Sequence, residues 1–193
     1  MSAGFVLDLH RCVGCGACVL ACRIENGRVT TAAWRRVLPL NLRRYDAGPT
    51  YFLSVACHHC DEPACLRGCP SGAYEKRADG IVIHLEDRCL GCRYCEMTCP
   101  FGTPQFDPDR GVMSKCHLCA PRVDDGRAPA CVAACPTGAL TFAADVDADG
   151  APLREFVPGF ADPAGCRPNL RFTTPAGSTR SARFDEIEER LRT

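Results

Sequence analysis

The chain has 193 residues, 17 of them cysteine, and its 23 lysines and arginines are balanced by 23 aspartates and glutamates. Zero net charge with few aromatics excludes the basic surface of a nucleic-acid binder, and no apolar run reaches the roughly 18 residues of a membrane span. An odd cysteine count, with no basic and then apolar leader before Cys12, excludes a secreted disulfide framework; no signal peptide is predicted.

Gly4–Leu9 alternates apolar and polar residues as a half-buried strand does, and runs into a first group, Cys12, Cys15, Cys18 and Cys22. The spacing predicts a short helix over Cys18–Glu25, stopped at Asn26-Gly27. Arg23 stands where ferredoxin runs carry proline after the fourth cysteine. Trp34–Leu40 and Tyr51–Ala56 read as strands separated by the turn-rich Asp46-Ala47-Gly48-Pro49, in a cysteine-free interval read as a crossover between modules. Arg35-Arg36 and Arg43-Arg44 read as solvated or cluster-compensating charges. The second group is Cys57, Cys60, Cys65 and Cys69-Pro70; with four thiols present, His58 and His59 are not read as ligands.

Ser71–His84 reads as a hairpin about Asp79-Gly80. It leads to the third group, Cys89, Cys92, Cys95 and Cys99-Pro100, which has the bacterial ferredoxin spacing for a [4Fe–4S] cluster. Phe101–Phe106 and Gly111–Ser114 flank another turn, Asp107–Arg110, before the fourth group, Cys116, Cys119, Cys131 and Cys135-Pro136. Thr137-Gly138-Ala139 repeats Ser71-Gly72-Ala73 after a Cys-Pro, so both places should start the same kind of strand. Beyond Ala144 the composition turns Asp-, Gly- and Pro-rich and reads as turn and linker; Phe156 occupies the position where a calcium loop from Asp145 needs an acid. Thr179–Arg192 aligns Phe184, Ile187 and Leu191 on one face of a small amphipathic helix. Cys166 has no companion at ligand spacing and reads as a small buried apolar residue.

Three closely spaced cysteines can wrap one cube, while the fourth, a helical turn on, ligates the neighbouring cube in two-cluster ferredoxins. Zinc centres also use Cys-x-x-Cys pairs but do not need the Cys-Pro ending, which leaves a zinc-stabilised interaction module as a remote alternative. The hairpin joining groups two and three points to one module, with Cys57, Cys60, Cys65 and Cys99 on one cube and Cys89, Cys92, Cys95 and Cys69 on the other. The outer groups would then pair across it: Cys12, Cys15, Cys18 and Cys135 on one cube, Cys116, Cys119, Cys131 and Cys22 on the other. Spacing alone leaves open a sequential pairing of groups three and four. Sixteen thiolates around four oxidised cores of about +2 would bring the loaded protein to about −8. Arg88, Arg93 and Lys115, each close in sequence to a ligand, are candidates for raising local potentials. No residue is required as a catalytic acid, base or nucleophile, since the chemistry belongs to the clusters.

Cys57-His58-His59-Cys60-Asp61-Glu62-Pro63-Ala64-Cys65, Cys69-Pro70-Ser71-Gly72-Ala73 and Cys92-Arg93-Tyr94-Cys95 carry a resemblance to the electron-transfer (B) subunits of the dimethyl sulfoxide reductase family, and polysulfide reductase subunits are similar. The resemblance covers about residues 4 to 144, with Arg167-Pro168-Asn169 extending it weakly. It implies an α+β fold of two bacterial-ferredoxin-like 2[4Fe–4S] modules, the second inserted into the first. Residues 1–52 and 103–144 would form the outer module, 53–102 the inserted one, and 145–193 an extended C-terminal segment. It implies the nested pairing and four [4Fe–4S] clusters; nitrate reductase relatives that hold a [3Fe–4S] centre lack one third-group cysteine, and Cys92 is present here. The implied partners are a molybdopterin-containing catalytic subunit, facing the outer-group clusters, and an integral membrane quinone-reactive anchor, facing the middle-group clusters. The implied location is the cytoplasm or the cytoplasmic membrane face, or the periplasm by co-export with a twin-arginine partner. The same cysteine plan occurs in small subunits of hydrogenases, formate dehydrogenases and tungsten enzymes, the alternative assignment.

Overall fold

The computed structural model describes residues 2–27, 33–40, 51–148, 157, 160 and 165–173. In chain order the described strands are β1 (Gly4–Asp8), β2 (Arg36–Leu40), β3 (Tyr51–Val55), β4 (Tyr74–Lys76), β5 (Val82–His84), β6 (Gln105–Asp107), β7 (Val112–Ser114), β8 (Leu140–Ala143) and β9 (Leu170–Thr173). The α-helices are α1 (Ala17–Glu25), α2 (Ala64–Arg67), α3 (Tyr94–Thr98), α4 (Ala120–Asp124) and α5 (Ala130–Ala133). The class is α+β, as expected.

The alternation in β1 turns Phe5, Leu7 and Leu9 to one face, where all three are buried. β1 is the middle of a three-stranded sheet: β8 pairs antiparallel with Leu7 opposite Leu140, and β9 pairs parallel with Leu7 opposite Phe172. Leu53 and Val55 of β3, together with Ile81 and Leu118, complete this core. Each such side chain contributes about 1.5–3 kcal/mol when removed from water. Three antiparallel pairs, β2–β3, β4–β5 and β6–β7, surround it. The β4–β5 hairpin turns at Asp79-Gly80, where Asp79 Oδ1 accepts the Ile81 N–H at 3.0 Å. The β6–β7 turn is held by Asp107 Oδ1, which accepts the N–H groups of Asp109 and Arg110 at 3.2 and 3.3 Å.

Helix length follows the residue after each fourth cysteine. Pro70, Pro100 and Pro136 come just after helices of four or five residues. Where Arg23 replaces proline, α1 runs for nine residues and ends at Asn26, whose side-chain amide donates to Cys22 O at 2.7 Å. α1 packs on α5, and α2 on α3.

The C-terminal segment departs from the sequence reading. Turn structure holds for residues 145–148, but Leu170–Thr173 is a strand in the central sheet. Its alternation is only four residues long and follows Pro168, too short a pattern to stand out, and its partner lies over 160 positions away. The segment before it is stitched to the second cysteine group. Asp61 N–H donates to Arg167 O at 2.9 Å, Glu62 N–H to Cys166 O at 3.1 Å, and Asn169 N–H to His58 O at 2.9 Å. The predicted helix over 179–192, Arg43-Arg44 and the turn at Asp46–Pro49 lie outside the described residues.

Phe5 N–H donates to Asn169 O at 3.1 Å, and this close approach depends on Gly4. A Cβ at Gly4 would collide with the Asn169 carbonyl and meet Val146 Cγ1 at 2.8 Å. Gly4→Ala should therefore destabilise the cluster-loaded protein by about 1–3 kcal/mol, read as a lowered thermal midpoint with unchanged iron content.

Candidate iron–sulfur sites

The four cysteine groups open with the same local conformation. The residue two positions after the leading cysteine has positive φ in every group: Gly14 at 70°, His59 at 47°, Gly91 at 64° and Leu118 at 56°. A left-handed residue there rolls backbone N–H groups to the inside of the loop, where they face sulfur. Gly91 N–H donates to Cys89 Sγ at 3.4 Å and Leu118 N–H to Cys116 Sγ at 3.3 Å. At His59 and Leu118 the conformation costs about 1–2 kcal/mol that glycine would not incur.

Thiols distant in sequence meet around two cavities. One is lined by Cys12, Cys15 and Cys18 and, from the fourth group, Cys135. The other is lined by Cys57, Cys60 and Cys65 and, from the third group, Cys99; His58, His59 and Cys166 share its wall. The other eight cysteines reveal their neighbours through charge. Cys22 is pushed up to about 11 by burial and by Cys131 and Cys119, with Arg35 opposing. Cys116 is raised by burial, then by Cys22, Cys57 and Cys131. Burial raises Cys95 against a hydrogen bond with Tyr74, and Cys89, Cys69 and Cys92 add to the rise. Among the described residues, no three Cys, His, Asp or Glu side chains converge where one metal ion would sit. The thiols stand around spaces instead, and an all-thiol donor set with N–H donors behind it fits an iron–sulfur cube.

Hydrogen bonds and buried cations replace the water these sulfurs lose. At Cys69, burial raises the thiol, but the Ser71 hydroxyl and the N–H groups of Ala73, Ser71 and Gly72 outweigh it and hold it below its ordinary value. Cys135 repeats this balance: burial is outweighed by the Leu140 N–H, the Thr137 hydroxyl and the N–H groups of Ala139 and Thr137. The repeated Ser/Thr-Gly-Ala segment thus supplies sulfur donors as well as starting a strand. Lys115 is buried, and its ammonium donates to the carbonyls of Val82 and Cys116. Arg88 and Arg93 are surface charges, Arg93 paired with Glu96 at 2.9 Å.

Of the two sequence readings of Arg35, solvated or cluster-compensating, its surroundings fit the second. It is 1% exposed, whereas Arg36 beside it is exposed. Its guanidinium lies over the Phe5 ring at 4.4 Å and donates to Ser54 O at 3.2 Å and Ser54 Oγ at 2.9 Å. Because Ser54 Oγ accepts from Arg35, its own hydrogen is free to point at Cys18 Sγ, 3.4 Å away. Burial alone would lower the Arg35 pKa, but Cys131, Cys116, Cys18 and Cys22 raise it. Its Nε and Nη2 find no partner among the described protein atoms, and the sulfurs around it, from groups one and four, would be its counter-charge as thiolates. The one sign in the sequence is parity: Arg35 shares its strand face with the inward-packed Val37. His58 and His59 are buried neutral imidazoles. Burial and the cations Arg35 and Arg36 hold His58 at about 3. Burial, with Lys115 next, holds His59 well below its ordinary value, and His59 Nδ1 accepts the Val82 N–H at 3.0 Å.

These thiol sets on a ferredoxin-like frame define an iron–sulfur electron carrier that binds [4Fe–4S] clusters. Residues 49–145 match a family model described as a 4Fe-4S dicluster domain, and residues 5–25 match a 4Fe-4S binding domain. The sequence is 43% identical over 152 residues to the probable anaerobic dimethyl sulfoxide reductase chain YnfG of Escherichia coli (strain K12), covering 72% of each protein. It is 42% identical to the B subunit of the anaerobic dimethyl sulfoxide reductase of the same strain, again over 72% of each. A formate dehydrogenase iron-sulfur subunit of Wolinella succinogenes is 37% identical over 79% of this sequence and 86% of its own length. The protein belongs to the family of dimethyl sulfoxide reductase iron–sulfur subunits, which transfer electrons and are not the catalytic subunits of their complexes.

Arg35→Met should lower the potential of the clusters in this half of the molecule, because the reduced, more negative form loses its counter-ion. The expected shift is about tenfold or more in the reduced-to-oxidised ratio, about 59 mV for a one-electron couple. Redox titration followed by electron paramagnetic resonance reads it, with Arg35→Lys retaining most of the wild-type potential.

Proposed function

We propose that the protein holds four [4Fe–4S] clusters in a line and relays electrons between a molybdopterin-containing catalytic subunit and a quinone-reactive membrane anchor. The proposed ligand sets are Cys12, Cys15, Cys18 and Cys135 (cluster one), Cys116, Cys119, Cys131 and Cys22 (cluster two), Cys57, Cys60, Cys65 and Cys99 (cluster three), and Cys89, Cys92, Cys95 and Cys69 (cluster four). Residues 1–52 and 103–144 form the outer module in this reading, and 53–102 the inserted one. The linear order rests on three links. Cys18 and Cys22 are one turn apart on α1 and join sets one and two. Cys57 and Cys116 share a buried cluster with Ala56 and join sets two and three. Cys65 and Cys95 lie in one apolar cluster with Val82 and Met113 and join sets three and four.

The single observation that carries the relay is the pattern of exposure along this line. The only exposed thiols among the sixteen are Cys15 and Cys92, one in each terminal set, while Cys57, Cys65, Cys116, Cys119 and Cys131 of the middle sets are buried. Exposed apolar side chains flank both: Val13, Leu20 and Ile24 near Cys15 in sequence, and Leu90, Tyr94 and Met97 around Cys92. Two such rims suit two docking partners.

When bound, the clusters supply one-electron storage at each station. The polypeptide supplies the rest. The thiolates hold the irons, the N–H groups of Gly91 and Leu118 and the hydroxyls of Ser71 and Thr137 stabilise charge on sulfur, and the apolar walls exclude water. No helix of the described residues is long and apolar enough to cross a membrane, so in this reading the anchor subunit holds the relay at the membrane surface, on the cytoplasmic face or, after co-export with a twin-arginine partner, on the other. The formate dehydrogenase subunit among the relatives keeps a second reading, the same relay serving a different large subunit.

The purified protein should contain about sixteen iron atoms and a brown absorbance that dithionite bleaches; a colourless zinc protein would sink the proposal. Cys99→Ser should abolish the signal of cluster three and leave cluster four intact, and loss of cluster four instead would mean a different pairing. Leu90→Glu combined with Met97→Glu should release the membrane anchor on purification while the large subunit and the iron remain. The reaction of that large subunit, sulfoxide reduction or formate oxidation, separates the two readings.

A further inference from the structure

The cavity of cluster three has one thiol too many. Cys57, Cys60, Cys65 and Cys99 suffice for a four-iron cube, yet Cys166 lies in the same wall. It is 6% exposed, and it is not loosely placed. Its carbonyl accepts the Glu62 N–H at 3.1 Å, and the next carbonyl, of Arg167, accepts the Asp61 N–H at 2.9 Å. Three residues on, the Asn169 side-chain amide donates to His59 O at 2.9 Å. The backbone carrying Cys166 is thus clamped along the loop between Cys60 and Cys65. Asp61 and Glu62 directly follow Cys60, so these bonds bring Cys166 to the Cys60 end of the loop, on the cavity both thiols line. His58 lines the same cavity at 2% exposure, and both of its ring nitrogens are buried without a partner among the described protein atoms. An apolar packing role for Cys166 would not put it, with an unpartnered imidazole, around the space where a polar group is to sit.

We propose that Cys166 is a reserve ligand of cluster three, able to take over the iron held by Cys60. This rests on the reading of Cys57, Cys60, Cys65 and Cys99 as one ligand set. In the exchange the Cys60 sulfur–iron bond breaks and a Cys166 sulfur–iron bond forms. The Cys166 thiol proton passes to the departing Cys60 thiolate, and no electron is gained or lost. Cys60 and Cys99 are the partly shielded members of the set, whereas Cys57 and Cys65 are buried, and of the two it is Cys60 whose following residues, Asp61 and Glu62, are bonded to the segment carrying Cys166. A thiol already in place keeps the iron at that corner when Cys60 lets go.

The test uses the full cluster-loaded protein and three variants, Cys60→Ala, Cys166→Ser and the double substitution, read by iron content and electron paramagnetic resonance. Cys60→Ala alone should keep all its iron and four [4Fe–4S] signals. The double variant should lose iron and show a [3Fe–4S] signal or no third cluster. If Cys60→Ala and the double variant lose iron equally, the reserve role is overturned. If the double variant keeps all its iron, the assignment of Cys60 as a ligand fails instead. A second measurement needs no change at Cys60: under ferricyanide, Cys166→Ser should form the [3Fe–4S] signal faster than wild type, and equal rates would count against the proposal.

Discussion

A thiolate taken out of water needs its lost hydration replaced by donors or cations, and the architecture follows from meeting that need around four groups of cysteines. The cheapest donor is the backbone, so all four groups adopt a left-handed residue two positions after the first cysteine, even where that residue is His59 or Leu118. The next is a hydroxyl placed two residues after a Cys, as at Ser71 and Thr137. Where the sulfurs are deepest, whole charges are buried with them: Arg35 among the thiols of groups one and four, and Lys115 against Cys116 O. A buried arginine or lysine with no carboxylate partner would ordinarily be destabilising by several kcal/mol; here Arg35 sits among sulfurs, and Lys115 donates to two carbonyls beside them.

Conventional packing plays a smaller part. Helices of four or five residues do not form by themselves in water, and outside the central sheet the strands come in isolated pairs. All three apolar clusters contain cysteines among their buried members: Cys18 and Cys131 in the central one, Cys65 and Cys95 beside Tyr74, Val82 and Met113, and Cys57 and Cys116 beside Ala56. Cysteine thiols are therefore part of the core, and where the proposed ligand sets hold clusters the free energy of cluster binding is part of the free energy of folding.

Much of this was legible in the sequence, because the informative signals were local. The period of two in Gly4–Asp8, the Asp79-Gly80 turn, the Asn26-Gly27 stop and the cysteine spacings each involve residues within a few positions of one another, and each element appears where its pattern lies. What escaped depends on distance along the sequence. Arg35-Arg36 reads as solvated or cluster-compensating, and that Arg35 is the buried one of the pair shows only once Phe5 and Ser54 are known to lie against it. Cys166 is solitary by spacing and has company only because residues 166 and 167 are bonded to Asp61 and Glu62. β9 is a four-residue alternation after a proline, made a strand by a partner at the other end of the molecule's sequence.

The placement of β9 also bears on how the molecule is made. Synthesis runs from the N-terminus, so the wall that Cys166 and Asn169 build against His58, His59 and Glu62 is the last described part to leave the ribosome. Every cysteine of the four groups precedes this wall in the sequence, and the bonds from Asp61 and Glu62 to residues 166 and 167 form only once that late segment is present. Pairing of Leu170–Thr173 with β1 fixes it in place. One side of the Cys57–Cys65 loop thus waits on residues made more than 100 positions later.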